Sequence, residues 1–451
     1  MKTKQPFERP FIKKISLGVP AKFGMKIKME PINAIDGVSV DSLMDQFGSP
    51  LFVLSEKTIR HTYRKAFQAF SVRYPKVQFA WSYKTNYLDA VCRIFHQEGS
   101  WAEVVSGFEY HKALKNGIPG EKIIFNGPSK HEEDLKMAIQ NKSLIHIDHF
   151  DELFQLIELS KSSSVKPRVA IRINMNTGIY PSWNRFGFNY ENGEAWEALN
   201  RLMVSGALDL KGLHTHIGTY ILEPSAYHAA ASKMAEIASQ LYSKYHFALE
   251  YIDIGGGFAS KNTLRGTYLP GTDAAPSFEN YAEAITSALI NSSLPPERLP
   301  LLILESGRAL IDEAGFLLST VLANKRLPDG KRAIIIDAGV NILFTSFWYD
   351  HHIAPVKSPS EMTEETIVYG PLCMNIDVIR PAIVLPLLRK GDRIVITRTG
   401  AYNMTQWMQF ITYRPNVVLI DLQGQVHIVR RQETLETLAA LEFVPDQFMQ
   451  K

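Results

Sequence analysis

The sequence predicts an α/β barrel followed by a separate β-rich unit, and three observations carry that reading. Short apolar runs recur at 77–83, 102–106, 122–126, 143–147, 168–174, 211–217, 249–254 and 301–305, each separated from the next by a stretch of helical periodicity. Eight alternations over about 230 residues match a (β/α)8 TIM-type barrel, whose usual size is about 250 residues. Beyond residue 305 the texture changes to strand-like runs without long helices, which indicates a second unit built on sheet. The third observation is positional: polar residues interrupt the apolar runs at their C-terminal ends, where such barrels keep their chemistry.

Taken in order, residues 1 to 45 read as an irregular basic arm packing with the sheet unit, ending at a helix and turn over 40–48. A strand at 50–54 leads into a helix over 56–74, and it would make a ninth barrel strand if it belongs there. The barrel is assigned to 46–310, because Pro295, Pro296 and Pro300 cluster just before its last strand. The β-rich unit, 311–451, has predicted strands at 316–323, 332–337, 366–369, 392–397, 409–413, 417–421 and 426–429, with a short helix over 433–441. Two polar connections, 260–277 and 355–365, exceed ordinary loop lengths and are expected to line or cover a site.

Composition narrows the function. Hydrophobic residues are 45%, charged residues 21% and the net charge is +3, which argues against a nucleic-acid or membrane-surface binder and for small-molecule work. Cys92 and Cys373, the two cysteines, form neither a metal spacing nor a disulfide framework, so a reducing, cytoplasmic setting is expected. The first 30 residues hold eight Lys or Arg against two Glu, but Pro and Lys break every apolar run, so no signal peptide or membrane span is expected.

The chemistry starts at Lys84, which ends the aromatic and β-branched run 77–83. A lysine in a partly dry pocket has its ammonium disfavoured and becomes an amine able to bond a carbonyl cofactor. Glu103 with Ser106, Asn126, Asp148, Arg172 with Asn174, His214 with His216, Gly255 to Gly257, and Glu305 with Arg308 stand at the matching ends of the other runs. Any one of these has a bland reading as a solvated or hydrogen-bonded side chain; together they describe one ring. Three successive glycines expose backbone N–H groups that can surround a phosphate, and they follow the seventh strand, where barrels often hold one. A rival reading places a hydrolytic metal on His214 and His216 with Glu305 or Asp337, but it leaves Lys84 without a role and lacks a third ligand at a recognisable spacing.

The ordered segments Tyr83-Lys84-Thr85-Asn86, Glu103-Val104-Val105-Ser106-Gly107, His214 to Thr219, Gly255-Gly256-Gly257, Glu305-Ser306-Gly307-Arg308, Tyr369 to Cys373 and Gly400-Ala401-Tyr402 resemble those of the fold-type III pyridoxal-phosphate decarboxylases. That group includes diaminopimelate, ornithine and carboxynorspermidine decarboxylases. The resemblance implies an amino-acid α-decarboxylase with pyridoxal phosphate as cofactor and no metal, and keeps a racemase on the same cofactor as the alternative. It implies that Lys84 bonds the cofactor, that His216 stacks on its ring and that Glu305 pairs with the ring nitrogen. Glu103 would lie near the cofactor, and Gly255, Gly256, Gly257, Gly307, Arg308, Thr219 and Tyr402 would hold its phosphate. Cys373 would come from the β-rich unit of a partner subunit in a homodimer with shared sites, and Arg308, Asp350, Met374 and Tyr402 would face the substrate. Three departures stand out: Ser306 replaces the usual proline, Thr219 the usual serine, and Glu103 the more frequent aspartate. A fourth bears on the substrate, since relatives acting on diamino acids carry an acidic residue where this chain has Met374.

Overall fold

The computed structural model describes residues 30–357 and 362–449. Eight parallel strands close into a barrel: Val77–Ser82, Trp101–Val104, Ile123–Phe125, Leu144–Ile147, Arg168–Asn174, Asp209–His214, Tyr251–Asp253 and Leu301–Leu304. Closure is completed where Asp209–His214 pairs with Arg168–Asn174 on one side and Tyr251–Asp253 on the other. All eight predicted runs are strands, with ends shifted by a few residues. Ala80, Ile124, Leu144, Ala170, Tyr251 and Ile303, one from each of six strands, form a buried cluster of their own. There is no slack in this layer: a Cβ on Gly212 would lie 2.6 Å from the Tyr251 ring. Polar side chains therefore collect at the C-terminal mouth, because the layer beneath is already filled with apolar atoms.

The second sheet runs in the order Val378–Pro386, Thr363–Tyr369, Arg332–Ile336, Gly315–Arg326, Leu51–Ser55, Val417–Ile420, Val426–Arg430, with Arg393–Thr397 also paired to Gly315–Arg326. Leu51–Ser55, set within the 46–310 segment by the sequence reading, is no ninth barrel strand. It pairs antiparallel with Gly315–Arg326 and parallel with Val417–Ile420, and all five of its residues are buried. The predicted strand at 409–413 is instead irregular backbone, while Val378–Pro386 and Ile353–Pro355 are strands the sequence did not announce. Residues 1–29 of the predicted basic arm and 358–361 of the second long connection lie outside the described residues. From Ile32 onward the chain packs on the second sheet, where Ile35, Val40, Leu43 and Met44 bury against Leu51, Val53, Leu318 and Val395. No helix among the described residues is long and apolar enough to cross a membrane.

Phe52 is fully buried with its ring centroid 5.6 Å from that of Trp407, so it joins the central strand of the second sheet to the loop that follows Tyr402. Phe52→Ala is expected to cost about 3–5 kcal/mol and to lower the chemical denaturation midpoint. A midpoint equal to that of the wild type would show that this strand is not structural.

Candidate active site

Lys84 sits in a single 3-10 turn, Tyr83–Thr85, directly after the first barrel strand. Its Nζ donates to both oxygens of Glu103, at 2.8 and 2.7 Å. Glu103 is buried at the end of Trp101–Val104 and also accepts from the Ser82 hydroxyl. The lysine side chain keeps 39% of its surface because it lines an open cavity. Burial disfavours its ammonium, as the sequence reading expected, but the carboxylate of Glu103, with Tyr402 and Glu305 behind it, outweighs burial and raises the Lys84 pKa. The resting amine is charged, and Glu103 fixes its direction.

Glu305 follows Leu301–Leu304, the strand paired directly with the one that leads into Lys84. It accepts from Asn126 Nδ2 and lies 3.3 Å from His214 Nε2, while His146 Nδ1 is 4.0 Å away. Burial first, then neighbouring charges, pushes both histidines well below the usual imidazole range, so both are neutral. Asp253 belongs to the same buried group; one oxygen takes the Gly255 N–H at 2.8 Å, and burial beside Glu305 raises its pKa far above the carboxylate range.

The remaining wall is made of glycine edges and aromatic faces. A Cβ on Gly256 would lie 2.4 Å from the Glu305 carbonyl, on Gly257 2.2 Å from the Gly218 carbonyl, and on Gly307 2.0 Å from Thr85 Oγ1. Only glycine lets these three backbones meet. The Gly256 N–H donates to His216 Nδ1 at 3.1 Å, and Trp183 meets the His216 ring edge to face. Burial, then the cations Arg172 and Lys84, brings His216 down to about 3, so it presents a neutral ring. Arg308 is buried against the faces of Tyr402, Tyr349 and Trp348, with centroid distances of 4.5, 5.3 and 5.6 Å, and its Nη1 has no hydrogen-bond partner among the described residues.

Ten of the expected residues line this one cavity of about 380 Å³: Lys84, Glu103, His216, Thr219, Gly256, Gly257, Glu305, Gly307, Arg308 and Tyr402. Gly255 adjoins it in the left-handed region, φ +69. Of the expected ring, Ser106, Asp148 and Asn174 do not line it, Asp148 pairing with Arg172 and Asn174 donating to the Phe186 and Gly187 carbonyls, and three residues expected at the substrate are elsewhere. Cys373 is exposed in the turn that Asp377 holds by accepting the Val340 and Leu372 N–H groups; Met374 packs half-buried beside it. Asp350 faces a second cleft. The His214/His216 metal reading is not assembled, because His216 turns to Gly256 while Asp337 bonds Ser49, Ser319 and Thr320 in the second sheet. Trp183, Phe186 and Trp348 line the cavity without having been expected, since they lie on connections with no periodicity to mark them.

The family model described as "Pyridoxal-dependent decarboxylase, pyridoxal binding domain" matches residues 59–312, more than half of the chain. The chain belongs to this family. Diaminopimelate decarboxylase of Methanocaldococcus jannaschii is 31% identical over 91% of this chain and 95% of its own length; that of Bacillus subtilis is 29% identical over 90% and 94%. The crystal structure of the M. jannaschii enzyme covers 93% of this chain and 98% of its own at 29% identity, with a TM-score of 0.85. The protein is a pyridoxal-phosphate-dependent amino-acid decarboxylase. The residues present fit that cofactor: three glycine edges too close for any Cβ, an unpartnered buried guanidinium, and a lysine that shares the cavity with the buried carboxylate of Glu305.

The neutral histidines leave a measurable trace on stability. Unfolded histidine titrates near about 6.5, whereas folded His146 does so well below, so as pH falls through that value the unfolded chain gains a proton the folded chain refuses. His146→Gln in the cofactor-free protein should flatten the loss of stability between about pH 7 and about pH 5, by up to about 1.4 kcal/mol per pH unit. Denaturation curves at both pH values decide it, and identical slopes for variant and wild type would mean His146 takes up a proton in the folded state.

Proposed function

We propose that Lys84 holds the cofactor covalently, that His216 covers one face of its ring and that Glu305 faces the ring nitrogen. Gly255 to Gly257, Gly307, Arg308, Thr219 and Tyr402 hold its phosphate, with Glu103 beside it. The observation that supports this most is the convergence of Lys84, His216, Glu305 and the glycine edges on one cavity at the strand ends. When bound, pyridoxal phosphate supplies an electron sink for the bond pair left behind as carbon dioxide departs. The chain's own residues do the rest. Glu305, fixed by Asn126 and His214, stands opposite the ring nitrogen, and Glu103 returns Lys84 to one position. The aromatic wall around Arg308 keeps water from its guanidinium, so an anion there is held by a poorly hydrated cation.

The cysteine that returns a proton to the α-carbon is Cys373 of a second copy, in a homodimer with shared sites. Its exposure and its absence from the cavity of its own chain support that reading. The domain division, with 46–310 holding the cofactor and 311–451 supplying Cys373 and Tyr402, belongs to the same proposal, as does residence in the cytoplasm. The substrate is a larger or conjugated amino acid. The relatives are named for diaminopimelate, and one was crystallised with L-lysine. Met374 argues for a different distal end here, because a thioether cannot stand in for the carboxylate that meets an ammonium leaving water.

Two outcomes test the reading. Borohydride treatment of the yellow holoenzyme, followed by peptide mapping, should find the cofactor on Lys84; an adduct on another lysine, or none, would be decisive against it. Mixing inactive Lys84→Ala and Cys373→Ala proteins under conditions of subunit exchange should restore roughly a quarter of the wild-type carbon dioxide release, since half of randomly paired dimers are mixed and each holds one intact site. No recovery despite demonstrated exchange would place Cys373 and Lys84 in the same chain's site.

A further inference from the structure

The second cleft, about 510 Å³, is lined by Asp350, His352, Arg380 and Arg398, with Lys261 and Glu365 at its edge. It lies next to the catalytic cavity: Trp348 lines one and Asp350 the other, two residues and at most about 7 Å of chain apart. The long connection 260–277 brings Arg265 here. Its N–H donates to the Trp348 carbonyl at 2.9 Å, and the Asp350 N–H donates to the Thr263 carbonyl at 2.8 Å.

In the ornithine decarboxylases that the chain resembles, the aspartate matching Asp350 contacts a distal amine. Here that carboxylate is already engaged: Arg380 Nε lies 3.6 Å and Arg265 Nε 3.9 Å from its Oδ1. Neither is a hydrogen bond, and Oδ1 accepts none among the described residues. The arginines are aimed by neutral groups instead, Arg265 by the Val378 and Ile379 carbonyls and Arg380 by those of His351 and Ala382. They are held in place without being neutralised. Arg398 adds a third guanidinium with no ion pair or side-chain hydrogen bond among the described residues. Its backbone is in the left-handed region, φ +58, which a non-glycine residue occupies only under constraint, and Asn262 Nδ2 holds its carbonyl at 2.9 Å. Lys261 is spent on Glu313. Arg380 and Arg398 thus line the cleft with Asp350 and the exposed Glu365, while Arg265 approaches Asp350 to 3.9 Å. The histidines register the excess: burial, then Arg398 and Arg380, lowers His352, and burial with Arg380, Arg265 and Arg398 takes His351 to about 3 against the Thr397 carbonyl.

We propose that this cleft binds an anionic group, a carboxylate or a phosphate, through Arg398 and Arg380, and that the substrate carries it as a substituent distal to the amino-acid centre. A guanidinium fork matches either anion with paired N–H donors. An ammonium arriving at the same place meets Arg380 and Arg398, an Asp350 carboxylate that two guanidinium groups already share, and only the exposed Glu365 besides. The inference rests on the decarboxylase reading above and deepens its substrate class: an amino acid conjugated to an acid.

Nε-succinyl-lysine and Nε-butyryl-lysine test it, since both lack a distal ammonium and they differ in the terminal carboxylate. Their affinities for the holoenzyme are read from the cofactor's absorbance, which also reports that each variant is folded and loaded. The succinyl compound should bind at least about tenfold more tightly, and Arg398→Gln or Arg380→Gln should bring the ratio to about one. Equal affinities in the wild type, a ratio that survives both substitutions, or no measurable binding of either compound overturns the proposal. Inorganic phosphate separates the sources of the anion. Competition with Nε-succinyl-lysine supports the substrate assignment; phosphate binding that depends on Arg398 yet leaves that affinity unchanged makes the cleft an effector site and overturns it. Binding with the expected ratio but no carbon dioxide release from either conjugate counts against the substrate size argued from Met374, not against the cleft.

Discussion

One buried carboxylate, Asp312, ties together the three segments on which both cavities depend. It lies just past the short helix that Arg308 begins, and its oxygens accept from the Ser260 hydroxyl, from Asn262 Nδ2 and from the Ala401 N–H. Ser260 and Asn262 open the long connection that carries Arg265; Ala401 precedes Tyr402. Burial raises Asp312 to about 6 even though Arg308 and three donors favour its charge. Removing one partner would leave a poorly solvated group with too few donors, and such a loss costs more than an ordinary hydrogen bond contributes. The close approach is also steric. A Cβ on Gly400 would lie 2.1 Å from the Ile311 carbonyl, and one on Gly315 would lie 2.2 Å from the Gly400 nitrogen. Through this junction Tyr402, in the left-handed region and donating its N–H to the Thr85 carbonyl, reaches from the second sheet into the barrel mouth.

The barrel was legible because its strands are short, apolar and regularly spaced, and because the layer below the mouth is filled. Side chains such as Lys84, Glu103 and Glu305 have no room except at the strand ends, so position in sequence predicted position in the ring. The second sheet was less legible, because its pairings are remote. Leu51–Ser55 meets partners more than 250 residues away, and no local pattern distinguishes that from a barrel strand. Val378–Pro386 was missed because Pro381 removes a donor, a substitution tolerated at the sheet edge where this strand lies. The run at 409–413 is rich in aromatic and β-branched residues like a strand, yet its neighbours are fixed otherwise: Trp407 Nε1 donates to the Ile342 carbonyl, and Arg430 stacks on the same indole at 4.6 Å.

The polar floor of the cavity shows where residue types alone mislead. Burial by itself would lower Lys84, and the sequence offers no sign of how close Glu103 comes. At 2.7 Å the ion pair reverses the direction, so the site keeps a charged lysine held against one carboxylate while a second, Glu305, follows the neighbouring strand. Asn126 donates to both Glu103 and Glu305, at 3.3 Å to the former, which couples the two carboxylates without adding charge. His146, inside an apolar strand, received no reading from the sequence and is fully buried. It sits beside Glu305, with Tyr251 fixing its other nitrogen at 2.9 Å.

The same logic separates Glu305 from Asp350. Glu305 takes its hydrogen bonds from uncharged side chains, Asn126 and His214, and no guanidinium is paired with it among the described residues. Asp350 is flanked by two guanidinium groups that are aimed by carbonyl oxygens and not by the carboxylate itself. A carboxylate in that position serves the arginines: it lets two like charges approach one another at the cleft wall, at less electrostatic cost than bare proximity would impose. Its residue type is that of an amine binder, while its surroundings make it the counter-ion of an anion site. Resemblance identifies the residue; only the neighbouring charges, carried in by the connection 260–277 and by Arg380, decide which sign of ligand it favours.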